Sequence, residues 1–285
     1  MTITEKIRPA ITSSLLRPDS ITLFDSKRGG RQIKTIIFDA EGVLVPISGT
    51  LSEGPAMWAR RYEFLAKHYP EHFKEPFTEM DEEKRSQVVA FAKGLLKAHH
   101  TDSIGYAIQL EKHIPIGRFV EHVFEPSIPK LQKEIEELSD GELKGLVGCT
   151  RAELIYQFEH LNADVFALSN TSRRGYVEPA FEGIGIMQFF QGKIIGMEDL
   201  AAIGVSKPHK EAYSFALQRY DIDRRRAMFV DDSVANLEAP HTDPEIRMTT
   251  LCINRDPVDI EKYQKHSDHI YPTITEAFVA MGRRT

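Results

Sequence analysis

The chain has 285 residues, of which 41% are hydrophobic and 27% charged, a balance typical of a globular protein with one large or two smaller domains. Its net charge of −6 gives no support to nucleic-acid binding, which requires a basic face. The sequence shows no signal-peptide pattern, no apolar run long enough to cross a bilayer and no CxxC motif at Cys149 or Cys252, so we expect a cytoplasmic protein without nucleic-acid or membrane partners.

The first segment, residues 1–32, is polar and has no clear hydrophobic period. It contains six basic residues and three acids. We expect a flexible or loosely packed N-terminal extension, with a short hairpin through residues 21–24 as the alternative.

A short apolar run at residues 35–38 predicts a strand that is buried on both faces of a parallel sheet. Asp39 and Glu41 follow it directly, and Gly42 comes next. Because burying a carboxylate is costly, these acids should lie at the carboxyl edge of the sheet, where open α/β folds bind their ligands.

The pattern then changes to helix over residues 49–162. Trp58, Tyr62 and Leu65 recur at helical spacing, and residues 150–153 form a capping box. We expect a helical domain inserted after the first strand, with these apolar stripes forming its core.

Two arginines, Arg60 and Arg61, lie beside Trp58 on the first inserted helix. A solvated basic face is the simpler interpretation. A contact with an anionic substrate, made when the inserted domain closes over the site, is the alternative.

Strand patterns return at residues 164–168, 227–230 and 249–253, alternating with helical ones. This alternation predicts βαβ units and a parallel sheet, so the fold class is α/β. Ser169 and Asn170 follow the first of these strands, Asp231 and Asp232 follow the second, and Lys207 lies between them. If the strands are neighbours, all of these side chains meet the acids after the first strand in one crevice.

The chemistry of this set favours phosphoryl transfer. Carboxylate oxygens hold a hard divalent cation, which we expect to be Mg²⁺, and a lysine with a hydroxyl can hold an anion. Asp39 is then left to attack phosphorus and Glu41 to move protons. The sequence therefore predicts a reaction through an aspartyl-phosphate.

The order and spacing of these residues resemble the four motifs of the haloacid dehalogenase superfamily. Residues 38–44, 168–171, 207–208 and 229–239 resemble the four motifs in turn. The resemblance covers residues 33–48 and 163–285 and implies a Rossmann-like parallel-sheet core. The insertion at 49–162 is similar in position to the family's helical C1 cap. The Leu-Ser-Asn-Thr and Val-Asp-Asp-Ser variants resemble most closely the branch that contains small sugar-phosphate phosphatases.

The resemblance also implies a role for each site residue. Asp39 would be the nucleophile, and Glu41 would protonate the leaving oxygen and later activate water. Lys207 would neutralise charge between Asp39 and the phosphate. The substrate-binding residues would be Ser169, Asn170 and Lys207, and the Mg²⁺ ligands would be Asp39, Glu41 through its backbone carbonyl, Asp231 and Asp232.

One departure from the family pattern keeps other functions open. The second acid of the first motif is usually Asp, and here it is Glu41. The expected function is hydrolysis of a small phosphorylated metabolite, of unknown identity, by a protein of unknown oligomeric state. The alternatives are a metal-independent 2-haloacid dehalogenase and a non-catalytic protein that binds a phosphorylated ligand.

Overall fold

A computed structural model describes residues 20–101, 103–255 and 260–284 of the chain. Its strands are β1 (Ile21–Asp25), β2 (Arg31–Gln32), β3 (Thr35–Phe38), β4 (Asp164–Leu168), β5 (Ile194–Ile195), β6 (Ala227–Asp231), β7 (Thr249–Ile253), β8 (His269–Tyr271) and β9 (Gly282–Arg284). Six of them form a parallel sheet in the order β5-β4-β3-β6-β7-β8, which confirms the predicted α/β class.

Strand β3 lies at the centre of this sheet because it is apolar on both faces. Ile36 and Phe38 belong to the core on one side of the sheet, whereas Ile37 belongs to the core on the other side. All three side chains are buried, as predicted from their continuous apolar run. With β4 and β6 as its two neighbours, β3 is where the strand order reverses, and such a switch point opens a crevice at the carboxyl ends of the strands.

Seven helices lie between β3 and β4, and seven follow β4 within the described residues. The inserted helices are α1 (Gly54–His68), α2 (Glu82–Ala98), α3 (Ile104–Lys112), α4 (Ile116–Val123), α5 (Ile128–Glu137), α6 (Asp140–Val147) and α7 (Arg151–His160). The later ones are α8 (Glu178–Ile184), α9 (Met187–Phe190), α10 (Met197–Ala202), α11 (Lys210–Arg219), α12 (Val234–Thr242), α13 (Ile260–Gln264) and α14 (Ile274–Met281).

The last inserted helix, α7, packs on the sheet. Phe158 lies edge-on against Phe38 of β3, with ring centroids 5.7 Å apart. A helix in that position completes the crossover between two parallel strands, β3 and β4. The division into a core of residues 33–48 and 163–285 and a cap of residues 49–162 stays a proposal, and this contact favours grouping α7 with the core. The capping box predicted at residues 150–153 is present at its start.

The segment before the central strand is ordered where it is described. β1 pairs antiparallel with both β2 and β9 in a small second sheet. Leu23 and Asp25 are buried, with relative exposures of 1% and 0%. The expectation of a loosely packed extension is therefore wrong for residues 20–32, where the hairpin alternative holds, and residues 1–19 of that prediction lie outside the described residues.

Cys149 and Cys252 are free and buried, and burial raises the pKa of both thiols to about 12. Within the described ranges, every helix is too short or too polar to span a bilayer.

Candidate active site

Four separate segments of the chain meet at the carboxyl edge of the three central strands. Asp39 directly follows β3, and Ser169 directly follows β4. Asp231 is the last residue of β6. Lys207 comes from the loop between α10 and α11. The convergence expected from the motif order is thus present.

Lys207 joins two of these segments. Its Nζ atom lies 3.0 Å from Oδ1 of Asp39 and 2.8 Å from Oδ2 of Asp231. The lysine is 1% exposed, and a buried ammonium group is tolerated only when it is paired with an opposite charge. The positive charge is therefore fixed beside Asp39 by the protein itself.

Asp231 is held in place by more than the lysine. Its Oδ1 atom accepts hydrogen bonds from the backbone N–H of Ser233 at 2.8 Å and from Nδ2 of Asn236 at 3.2 Å. Both carboxylate oxygens thus have partners inside the protein, and the residue is fully buried. Asp231 acts as a fixed anchor for Lys207.

Three carboxylates form an acidic cluster at this edge. One oxygen from each of Asp39, Asp231 and Asp232 lies within 4.8 Å of the others, and they are the only such group of potential metal ligands within the described residues. Burial raises the pKa of Asp39 well above its ordinary value, despite the opposing charge of Lys207. Burial and the charge of Asp231 raise the pKa of Asp232 to about 6.

These raised pKa values mean that burial, together with the negative charges of neighbouring carboxylates, disfavours the charged forms of Asp39 and Asp232. A divalent cation among them would remove that repulsion, and an all-oxygen donor set suits a hard cation. The cluster could therefore hold a divalent metal ion.

Gly42 allows Asp232 to approach the loop after β3. The residue has φ of 76°, and a Cβ atom there would lie 2.1 Å from Oδ2 of Asp232. Only glycine fits this close approach without strain. Arg255 closes the loop from the other side, since its Nη2 donates to the carbonyl of Gly42 at 2.5 Å. Sequence reasoning missed Arg255, which lies outside all four motifs.

The side chain of Glu41 is held by two hydrogen bonds. The backbone N–H of Ser48 donates to its Oε1 at 2.7 Å, and the hydroxyl of Thr171 donates to its Oε2. The sequence places Thr171 in the second motif but indicates no role for it. Its place two residues after Ser169, which directly follows β4, was the available signal.

The two residues predicted to bind substrate differ in what they contact. Ser169 is 1% exposed, and its Oγ accepts a hydrogen bond from the backbone N–H of Thr171 at 3.2 Å. Asn170 clamps the backbone of Lys207: its Nδ2 donates to the lysine carbonyl and its Oδ1 accepts from the lysine N–H, both at 2.9 Å. That geometry favours a positioning role for Asn170, and its predicted contact with substrate stays a prediction.

A cavity of about 390 Å³ lies between this edge and the inserted helices. Six of the seven predicted site residues line it, namely Asp39, Glu41, Ser169, Asn170, Lys207 and Asp232. Asp231 lies behind them. The opposite wall consists largely of apolar and aromatic side chains from the insertion, including Trp58, Tyr62, Phe119 and Phe124. The cavity can therefore enclose a small molecule between the polar residues of the sheet edge and the apolar wall that the insertion contributes.

The two arginines of α1 are not a solvated face. Arg60 is paired with Glu53 at 3.0 Å, and its Nε donates to the carbonyl of Val123 at 3.0 Å. Arg61 is half-buried and lines the cavity.

The family model of the haloacid dehalogenase-like hydrolases matches residues 33–241, well over half of the chain. The chain belongs to this family of hydrolases. The match spans all four motifs at the sheet edge.

Solved structures include similar chains of more than one activity. A HAD phosphatase from Thermococcus onnurineus is 16% identical, with a TM-score of 0.48 over 89% of this chain and 100% of the other. A defluorinating L-2-haloacid dehalogenase is 14% identical, with a TM-score of 0.48 over 91% of this chain and 99% of the other. Neither assigns a reaction to this chain at such identities, and no curated protein is significantly similar to it.

Proposed function

We propose that this chain is a Mg²⁺-dependent phosphatase that hydrolyses a small organic phosphomonoester through an aspartyl-phosphate on Asp39. The observation that carries the proposal is the buried Lys207 held between Asp39 and Asp231, next to three clustered carboxylates. This arrangement offers a nucleophile, Asp39, paired with the ammonium group of Lys207, and a place for a divalent cation.

The donor set suits Mg²⁺. Both oxygens of Asp231 are engaged by Lys207, Ser233 and Asn236, so we assign direct metal binding to Asp39 and Asp232 and a supporting role to Asp231. The backbone carbonyl of Glu41 is the further ligand that family resemblance implies. The ion, when bound, would neutralise charge on the phosphoryl oxygens and on the carboxylates around it.

The residues of the chain have separate roles in the reaction. The carboxylate of Asp39 attacks phosphorus, and the bond from phosphorus to the leaving oxygen breaks. Glu41 supplies the proton to that oxygen and later takes a proton from the water that attacks the phosphoryl group on Asp39. Lys207 and Ser169 stabilise the negative oxygens of the phosphoryl group, and the insertion limits access of water.

The rival reactions fit these residues less well. A 2-haloacid dehalogenase needs neither an acid at position 41 nor a metal site, whereas this cavity holds Glu41 and Asp232. A non-catalytic binding protein would have no use for a proton-transfer group held on both oxygens by Ser48 and Thr171. The two free cysteines support a reducing compartment, and we propose the cytoplasm as the location.

The test is hydrolysis of p-nitrophenyl phosphate and a panel of small phosphomonoesters, with Mg²⁺ and with EDTA. Turnover should require the metal and be lost in Asp39→Asn. Asp164→Asn makes the same change at the opposite end of the sheet, where the side chain is 71% exposed, and should keep full activity.

Full activity in Asp39→Asn would overturn the mechanism. Chloride release from 2-chloropropionate without metal would instead establish the dehalogenase. Thermal stabilisation by phosphate, without turnover of any ester, would establish a binding protein.

A further inference from the structure

Arg61 is the basic residue that the inserted helix α1 contributes to the cavity wall. Its guanidinium carbon lies 4.4 Å from the ring centroid of Trp58 and 5.2 Å from that of Phe124. These two aromatic rings hold the guanidinium group at the cavity wall.

The guanidinium has no polar partner in the part of the chain that the structure describes. Its Nε atom is inaccessible to solvent and has no hydrogen-bond partner, and the described residues provide no hydrogen bond or ion pair to the rest of the group. The neighbouring Arg60 shows what a structural arginine looks like here, because it is bonded to Glu53, Val123 and Ser127. Leaving a buried cation unpaired is costly, so its retention at a cavity indicates a ligand that pairs it.

A chain of contacts locates Arg61 relative to the chemistry. Arg61 stacks on Trp58, and the Trp58 ring lies against Gly49, where a Cβ atom would be 3.0 Å from its Nε1. The residue before Gly49, Ser48, donates its backbone N–H to Glu41. Arg61 therefore lies on the Glu41 side of the cavity, and the charge of Glu41 opposes the lowering of the pKa of Arg61 by burial.

Among the described contacts, Glu41 forms neither a hydrogen bond nor an ion pair with Arg61. Its two carboxylate oxygens accept from Ser48 and Thr171. In the proposed mechanism Glu41 protonates the leaving oxygen, so the group attached to that oxygen extends toward Arg61. The free donors of the guanidinium thus face the organic part of the substrate.

We propose that Arg61 binds a carboxylate on this organic part, so that the enzyme acts on phosphomonoesters that also carry a carboxylate. The proposal rests on the phosphatase function proposed above and names its substrate class. The planar fork of a guanidinium matches a carboxylate in two parallel hydrogen bonds. A second phosphate would bring nearly two negative charges, and the other cation of this wall, Lys93, is exposed to solvent. A cavity of about 390 Å³ limits the substrate to a small molecule.

The test compares two esters that differ only in the carboxylate, 2-phosphoglycolate and 2-hydroxyethyl phosphate, with Mg²⁺ present. We expect the wild type to favour 2-phosphoglycolate in kcat/KM by ~10-fold or more, the range expected for a charge-assisted pair. In Arg61→Gln the preference should vanish, mainly through KM, with hydrolysis of 2-hydroxyethyl phosphate changed by less than ~3-fold. Arg118→Gln is the matched control, since that cap arginine is 73% exposed and pairs only with Glu121 among the described residues; it should keep the preference.

Binding can be read without turnover. Trp58 is the only tryptophan of the chain and stacks on Arg61, so its fluorescence should report occupancy of this subsite. Phosphonoacetate should change the signal in the wild type and in Arg118→Gln but bind at least ~10-fold more weakly to Arg61→Gln. Methylphosphonate, which lacks the carboxylate, should bind all three proteins alike.

The outcomes separate the two proposals. Equal turnover of both esters, with a ratio that Arg61→Gln does not change, would overturn the carboxylate subsite and leave the phosphatase intact. Better turnover of ethylene glycol bisphosphate than of 2-phosphoglycolate would also overturn it. Hydrolysis of neither ester, nor of p-nitrophenyl phosphate or the phosphomonoester panel, with phosphonoacetate binding still dependent on Arg61, would overturn the phosphatase and leave the subsite standing. If circular dichroism shows that Arg61→Gln does not fold, Arg61→Lys replaces it: the preference should then fall, and an unchanged preference would overturn the proposal.

Discussion

The Nζ atom of Lys207 lies 2.8 Å from Oδ2 of Asp231, and both side chains are withdrawn from solvent. The same nitrogen is 3.0 Å from Asp39. One buried cation is therefore shared by the residue that we assign as nucleophile and by a carboxylate whose other oxygen is fixed by Ser233 and Asn236. The position of the charge is determined before any substrate arrives, which is the condition for strong electrostatic stabilisation of a transition state.

Replacing this cation should damage both activity and stability. Lys207→Met removes the buried counter-charge that Asp39 and Asp231 share, and we expect a loss of about 3–5 kcal/mol in the free energy of unfolding at neutral pH. Turnover should fall ~100-fold or more. Lys210→Met is the control, because Lys210 is 45% exposed and its ion pairs with Asp243 and Glu245 are worth at most about 1 kcal/mol. Similar losses in urea titrations of the two variants would contradict the role given to Lys207.

Asn170 offers a test between positioning and substrate contact. Asn170→Ala removes both hydrogen bonds to the backbone of Lys207 and should allow the ammonium group to shift. We expect kcat to fall ~10–100-fold because displacement of a charged group by a fraction of an ångström is costly. KM should change by less than ~3-fold. A rise in KM with kcat preserved would instead support the substrate contact that the sequence predicts.

Gly42 should be required for the acidic cluster. In Gly42→Ala the new Cβ would collide with Asp232, and the left-handed backbone adds strain, so we expect about 1–3 kcal/mol of destabilisation. We expect Mg²⁺ to raise the melting temperature of the wild type, and this rise should shrink or vanish in Gly42→Ala. Gly94→Ala is the matched control: that helical glycine has open space around it, and alanine there should be neutral or stabilising by about 1 kcal/mol. An undiminished Mg²⁺ effect in Gly42→Ala would argue against Asp232 as a metal ligand.

The sequence predicts the central strands well because a continuous apolar run, such as residues 35–38, is buried on both faces only in the middle of a sheet. It also predicts which acids reach the site, since each directly follows such a strand. It does not predict that Asn170 would clamp Lys207 or that Thr171 would hold Glu41. Those pairs are 37 and 130 residues apart and depend on loop conformations that leave no periodic pattern.

Dependence on contacts between distant residues also explains why the prediction of a loosely packed extension is wrong for residues 20–32. A polar segment without periodicity resembles a flexible extension, but Asp25 is buried and accepts hydrogen bonds from Thr249 at 2.6 Å and from His269 at 3.0 Å. The His269 contact spans 244 residues of sequence. Buried polar pairs of this kind hold the segment on the sheet, and only the folded chain brings them together.

Asp25 should make stability sensitive to acid. Burial would raise its pKa, but the hydrogen bonds from His269 and Thr249 outweigh that effect and lower the pKa below its ordinary value of 3.8. The folded chain then binds fewer protons at this site than the unfolded chain, so the stabilisation is complete above that value and is lost as the pH falls through the folded pKa. Asp25→Asn should therefore cost about 1–3 kcal/mol at pH 7 and less at pH 3, below the ordinary value of 3.8. Urea titrations at both pH values, with Asp164→Asn as an exposed control, measure the difference; a cost independent of pH would show that the charge of Asp25 does not matter.

Glu41 should matter in a way that depends on the leaving group. p-Nitrophenolate leaves without protonation, so Glu41→Gln should still transfer the phosphoryl group to Asp39 from p-nitrophenyl phosphate, provided that the amide keeps its bonds to Ser48 and Thr171. The second step needs a base to activate water, and steady-state turnover should fall ~10²–10⁴-fold. Rapid mixing should then show a burst of one p-nitrophenolate per enzyme followed by slow release, whereas an alkyl phosphate should give no burst. Thr171→Val, which removes one hydrogen bond to Glu41 and keeps the carboxylate, should slow both steps modestly and give no burst. A Glu41→Gln enzyme that turns over both esters at the wild-type rate would remove Glu41 from the chemistry and leave Asp39, Lys207 and the metal as its whole basis.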